Sequence, residues 1–109
     1  MGLTKTEIFN DEQNQLAVLL KAMAHPARIA ILQQIINANA CICGDLSSEL
    51  GLAQPTISQH LKELKNAGLI KGTIDGVSVC YCINPVKWGE LKEQLSQFLN
   101  SAELDNSCC

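Results

Sequence analysis

Six cysteines fall into three pairs along this 109-residue chain, Cys41/Cys43, Cys80/Cys82 and Cys108/Cys109. No apolar leader of the kind that marks a secreted disulfide scaffold opens the sequence, so thiols this dense point to soft-metal binding or redox response. None of the pairs is a Cys-x-x-Cys, which argues against a thioredoxin motif or a zinc ribbon. Cys41 and Cys43 stand just before a helix expected to begin near Gly44, whose free N–H groups would favour thiolates there. A trivalent thiophilic ion takes three thiolates, so a third donor is needed. Cys108 and Cys109 are the natural candidates, because a polar tail of about nine residues can reach roughly 30 Å when extended. Cys80 and Cys82 share one face of an expected strand, opposite Val79, Tyr81 and Ile83, which the alternation directs to the core. Simple packing and a second thiol site both remain open for them.

The other chemistry-bearing residues are sparse. His25 and His60 are the only histidines, and no Ser-His-acid or Cys-His set can be assembled from the sequence. The chain is therefore not expected to be an enzyme.

The elements that must position these residues can be read in order. Leu16, Leu19, Leu20 and Met23 recur at helical spacing between Asp11 and Ala24, and Pro26 opens a second helix with Ile29, Leu32, Ile35 and Ile36 inward. Asn37 to Cys41 reads as a loop. Asp45 to Gly51 is a short helix with an acid in its first turn and a terminal glycine. Pro55 fits only a first helical turn, so another helix starts at about Gln54. Its start is crowded with Gln54, Thr56, Ser58, Gln59 and His60, while Ile57, Leu61 and Leu64 face a core, and Gly68 ends it as a left-handed cap. Two strand-like runs follow, Leu69–Ile74 and Val77–Ile83, joined at Asp75-Gly76, a dipeptide suited to a tight hairpin. Pro85 opens a last helix carrying Trp88, Leu91, Leu95, Phe98 and Leu99 on one side. A helix-turn-helix followed by a hairpin is a winged helix, mainly α, in the order of four helices, a β-hairpin and a fifth helix.

Of the residues, 47% are hydrophobic and 17% charged, material for a single domain over 1–101 with a polar, cysteine-ending tail over 102–109. No apolar run approaches the roughly 20 residues needed to span a bilayer, so no membrane partner is expected and a cytoplasmic location is. The net charge of −3 disfavours nucleic acid only superficially. Between Gln54 and Gly72, Lys62, Lys65 and Lys71 outnumber Glu63; from Glu90 onward Glu90, Glu93, Glu103 and Asp105 outnumber Lys92. The expected reading unit is the basic part, and its charge is modest. Two copies presented together would be required to hold double-stranded DNA, which implies a homodimer. The apolar stripes on the first and last helices exceed what a three-helix core needs, and the surplus would form the subunit interface.

Taken together, Ala22-Met-Ala-His-Pro-Ala-Arg28-Ile-Ala-Ile-Leu32, Gly44-Asp-Leu, Gln54-Pro-Thr-Ile-Ser-Gln-His-Leu61, Leu64-Lys-Asn-Ala-Gly-Leu-Ile70 and Gly76-Val-Ser-Val-Cys-Tyr81 resemble the ArsR/SmtB family of bacterial metal-responsive repressors over roughly residues 12–100. The resemblance implies a homodimer on a palindromic operator that leaves it when a metal or metalloid binds. It carries the DNA-contacting positions onto Gln54, Thr56, Ser58, Gln59 and His60, with phosphate contacts from Lys62, Lys65 and the wing. One departure is the wing tip, where many members have Arg or Lys and this chain has Val77 beside Asp75.

The arsenic-responsive members carry a cysteine cluster of the form Cys-Val-Cys-Asp-Leu-Cys at the junction occupied here by Cys41-Ile-Cys43-Gly-Asp-Leu-Ser47. The string is shifted by one residue and lacks the third cysteine. Arsenite or a related soft ion is the expected inducer, with Cys41, Cys43, Cys108 and Cys109 as its ligands, though some members keep the whole site at the end of the last helix. The family's zinc site of carboxylates and histidines on that helix is missing, since Trp88–Asn100 contains no His or Asp. Two other readings stand beside this one. One is a repressor that responds to redox chemistry or reactive sulfur; the other is a thiol-rich metal-binding protein that does not act on DNA, against which the polar face of Gln54–His60 argues.

Overall fold

The computed structural model describes residues 8–43, 50–75 and 78–104. The expected short helix over Asp45–Gly51, the wing tip and Cys108 and Cys109 lie wholly or largely outside these residues. Within them, α1 (Asp11–Met23) and α2 (Pro26–Ala38) lead into β1 (Ile42–Cys43), and α3 (Gln54–Asn66) is followed by β2 (Ile70–Asp75), β3 (Ser78–Ile83) and α4 (Pro85–Asn100).

The helix boundaries follow from local chemistry. Asn10 and Gln13 exchange side chain-to-backbone bonds of 2.8 and 3.0 Å, a capping box at the start of α1. Pro26, Pro55 and Pro85 each stand in the first turn of a helix, where the missing N–H costs nothing. Asn84 caps α4 by accepting from the amides of Val86 and Lys87. At the other end of α3, Gly68 adopts φ +85°. Its amide donates to the Lys65 carbonyl and that of Leu69 to the Leu64 carbonyl, which turns the chain directly into β2.

The sheet has one strand more than the sequence led us to expect. Its order is β1-β3-β2, both pairings antiparallel, with Ile42 opposite Tyr81, Cys43 opposite Cys80, and β2 registered on β3 from Ile70↔Ile83 to Asp75↔Ser78. Asp75 therefore belongs to the strand, not to the turn. Cys43, expected in a loop that runs into a helix, lies instead in a short strand on the hairpin's outer edge, and α2 runs on through Asn37 and Ala38 to a left-handed Asn39 cap. A two-residue strand carries no alternation to reveal it; β3 supplies the pairing groups that make it a strand.

The core gathers Leu19 and Ala22 of α1, Ile31, Leu32 and Ile35 of α2, Ile57, Leu61 and Leu64 of α3, Leu69 and Ile70, and Leu91 of α4. On α2 the inward face is rotated from the expected one: Ile31 is fully buried while Ile29 and Ile36 are exposed. Apolar residues at 29, 30, 31 and 32 leave the helical face ambiguous, and packing against α3 and β3 resolves it.

Candidate nucleic-acid interface and thiol cluster

Helix α3 divides cleanly. Ile57, Leu61 and Leu64 are buried, which anchors the helix, and Gln54, Thr56, Ser58, Gln59, Lys62 and Lys65 are all exposed on its outer side. These are amide, hydroxyl and ammonium groups, the kinds that read base edges and hold phosphates. In the free protein Gln59 Nε2 donates to Glu63 Oε1 at 3.0 Å, and Gln54 Nε2 to Ser58 Oγ at 3.4 Å. No side chain caps the N-terminus of the helix at Ala53. Lys65 Nζ lies over Gly72 of β2, 3.3 Å from where a Cβ would stand, so this glycine lets the ammonium group bridge helix and wing.

His60 departs from the expected set. It is 9% exposed, its Nδ1 accepts from Arg28 Nε at 3.1 Å, and its ring packs 4.5 Å from that of His25. The ring is turned into the protein and is unavailable to a base edge, because its neighbours on α2 supply both a donor and a stacking surface. Burial, then the neighbouring His25, then the Arg28 guanidinium hold its pKa below the ordinary histidine value of 6.5. Arg28 also donates from Nη1 to the Ala22 carbonyl at 3.1 Å, and His25 Nδ1 accepts from the Ala27 amide at 3.0 Å. One polar network thus ties the end of α1, the start of α2 and the middle of α3. The only local signal for it was Arg28 three residues after His25, and nothing linear joins residues 28 and 60.

The thiols converge in a way the sequence did not indicate. Cys41 is disulfide-bonded to Cys82 across 41 residues, their Cα atoms 4.3 Å apart, and Cys80 is disulfide-bonded as well. Cys80 is buried while Val79 is 41% exposed, the reverse of the expected alternation for those two positions. With β1 paired to it, β3 is the central strand, and Cys80 is flanked by Cys43 of β1 and Thr73 of β2. Beside Cys41 and Cys82 lies a cleft of about 320 Å³ lined by Ile35, Ile36, Asn39, Ala40 and Ile83. The structure thus brings Cys41 together with the wing strand, while the expected helix start near Gly44 lies outside the described residues. Among the described residues no cluster of three or more His, Cys, Asp or Glu is arranged to hold a metal ion.

A helical core, an outward polar helix and a β-hairpin that follows it directly define a winged helix, the fold of a DNA-binding regulator rather than of an enzyme. Residues 25–71 match the bacterial regulatory protein, arsR family. The chain is 30% identical over 96 residues to the HTH-type transcriptional regulator CmtR of Mycobacterium bovis, covering 88% of this chain and 80% of CmtR. It is 44% identical over 63 residues to the HTH-type transcriptional repressor SmtB of Mycobacterium tuberculosis, a match that covers 58% of this chain but only 46% of SmtB. Among solved structures, HlyU from Vibrio cholerae superposes with a TM-score of 0.65 at 34% identity, covering 80% of this chain and 97% of that one. The protein belongs to the ArsR/SmtB family of transcriptional regulators.

Proposed function

We propose that this protein is a cytoplasmic, homodimeric repressor that holds palindromic operator DNA through α3 and releases it when arsenite or a related thiophilic ion binds cysteine thiolates. The observation that carries the reading is the Cys41–Cys82 link, which ties the residue before β1 to the wing strand β3 in the sheet that α3 feeds through Gly68. Thiolates tied together there can move the sheet against the recognition helix. Cys41 and Cys43 are the proposed ligands nearest α3 in the chain, with Cys108 and Cys109 as further donors from the tail. Gln54, Thr56, Ser58 and Gln59 face the bases, and Lys62 and Lys65 the phosphates.

Fluorescence anisotropy on the protein's own promoter fragment tests this. Reduced protein should bind at nanomolar to micromolar concentration, and arsenite should raise the apparent Kd by about tenfold or more. Binding unaffected by arsenite, antimonite or cadmium would refute the inducer assignment.

The Cys41–Cys82 disulfide itself supports a second reading, in which oxidation of the two thiols, with loss of two protons and two electrons, sets the DNA affinity. Comparing arsenite under reducing conditions with a disulfide oxidant in the absence of arsenite separates the two.

A further inference from the structure

We propose that Arg28 and His25 are positioning residues for the DNA-reading helix, acting through His60, and that protons are a second signal for this protein: charging the two imidazoles loosens α3 and lowers operator selectivity whatever the state of the thiols. The inference goes beyond release by a thiophilic ion, but it rests on the reading of α3 as the operator-binding helix.

Both rings are committed in the same way. His25 Nδ1 accepts from the Ala27 amide at 3.0 Å and His60 Nδ1 accepts from Arg28 Nε at 3.1 Å, with the ring centroids 4.5 Å apart. An imidazolium has no lone pair to offer, so a proton on either Nδ1 turns an acceptor into a donor that faces another donor. On His60 this breaks the side-chain hydrogen bond between α3 and α2. On His25 it removes the cap of the first turn of α2, the turn that carries Arg28.

The surroundings do little to absorb the added charge. Among the described residues both bonds of Arg28 go to neutral acceptors, the His60 ring and the Ala22 carbonyl, and the ion pair Lys87–Glu90 lies on α4. From α2 the groups that face His60 are His25 and Arg28; from α1 the Ala22 carbonyl reaches the cluster through Arg28, while Lys21 is exposed. On α3 itself Glu63 accepts from Gln59 and Lys62 is exposed, as is Lys71 of β2. Two imidazolium rings would therefore stand against a guanidinium at a buried point, where water screens little. Burial, His25 and Arg28 all hold the pKa of His60 below 6.5, which places its charging below that pH. Gln59, the next residue, belongs to the proposed base-reading set, and base edges are read only from a fixed helix orientation. Added positive charge, by contrast, strengthens attraction to any duplex. Acid should thus lower selectivity for operator over random DNA rather than binding as such.

Anisotropy titrations of reduced full-length protein, free of metal and arsenical, with a promoter duplex and a random duplex of equal length give the ratio of the two affinities. From pH 7.5 to pH 5.0 the parent ratio should fall by about tenfold while circular dichroism shows the protein still folded. His60→Gln keeps an oxygen to accept from Arg28 Nε and does not titrate; His25→Asn keeps a cap for the Ala27 amide and does not titrate. Either change should leave the ratio at pH 7.5 near that of the parent and cut the acid loss to about threefold or less, and the two together should abolish it. His25→Asn, at an exposed cap, carries the test should His60→Gln not fold. Arg28→Lys keeps the charge but not the fork that serves both acceptors, and should lose about threefold in the ratio already at pH 7.5; an unchanged ratio there would remove Arg28 from the positioning role. A parent ratio that is flat with pH, an acid loss equal in parent, His25→Asn and His60→Gln, or a loss that coincides with unfolding would each overturn the inference while the operator reading stands. No preference for the promoter duplex at pH 7.5 would overturn the operator reading itself.

Discussion

His60 is the residue at which position and environment disagree most. It sits on the recognition helix among exposed polar side chains, yet it is buried, bonded to Arg28 and packed on His25. Its Nδ1 must be unprotonated to accept from Arg28, and burial and the two neighbours lower its pKa below 6.5. The unfolded chain therefore takes up this proton at higher pH than the folded one. The network's contribution to stability is full above pH 6.5, declines as the pH falls below it, and levels off once the folded ring itself protonates. Thermal or urea unfolding between pH 8 and 5 should show this decline, and a His60→Ala variant should flatten it. The same variant leaves Arg28 Nε without its acceptor, though Nη1 keeps the Ala22 carbonyl, and should cost about 1–3 kcal/mol at pH 7.5. A pH profile identical in parent and variant would mean that His60 does not titrate differently in the two states. Gln59 and Lys62, both outward, should behave differently from His60: Gln59→Ala should relax sequence preference with little change in stability. Lys62→Ala should weaken all DNA about equally and reduce the salt slope of binding by about 1. Sequence-blind losses from both would remove Gln59 from the base-reading set.

At the scale of elements, α3 is the piece most legible in the chain. Pro55, the Ile57-Leu61-Leu64 spacing and Gly68 each impose a backbone or burial constraint strong enough to be read alone, and the observed Gln54–Asn66 helix meets all three. Gly68 can be tested directly. With φ +85°, an alanine there meets the left-handed penalty of about 1–2 kcal/mol, and its Cβ would press on the Lys87 side chain at 3.2 Å. Gly68→Ala should lower the unfolding free energy by about that amount and disturb the helix-to-wing angle, which an operator titration would register as weakened binding; unchanged stability would show that the turn relaxes. What the sequence could not reveal was long-range pairing. Strand β1 owes its existence to β3, some forty residues on, and Cys41 meets Cys82 only because that pairing forms. The link between Cys41 and the wing strand was therefore hidden from the sequence. The inward face of α2 was ambiguous for the same reason: four successive apolar residues define no stripe until α3 and β3 choose one.

At the scale of the whole molecule, the apolar surface left over by the core is concentrated on α4 and around α1. Phe98 and Leu99 are each 61% exposed, and Val18 of α1 and Phe9 just before it are also largely bare. Gln94 of α4 donates to Gln15 of α1 at 3.4 Å, so the two helices present their residues together as one surface. A modest basic face on each protomer holds DNA weakly by itself, and joining two copies through that surface makes the second contact intramolecular. Leu99→Asp adds a charge at an exposed position, which the fold should tolerate, but buries it if the surface is a dimer interface. The variant should therefore sediment as a monomer at micromolar concentration, unfold much as a parent monomer would, and lose about 100-fold or more in operator affinity while keeping its weak affinity for a half-site. The inducer acts on this same assembly, and its coupling must be reciprocal. Whatever factor arsenite takes from operator affinity, typically equivalent to about 1–3 kcal/mol, operator DNA must take from arsenite affinity. Titrating arsenite with and without saturating operator measures it in parent protein, and Leu99→Asp should shrink the factor toward one, because a monomer has no pair of reading heads to misalign. A monomeric variant that keeps full coupling would locate the switch inside the protomer, in the link between the thiols, the wing and α3. A parent protein that is itself monomeric would remove the dimer from the mechanism altogether.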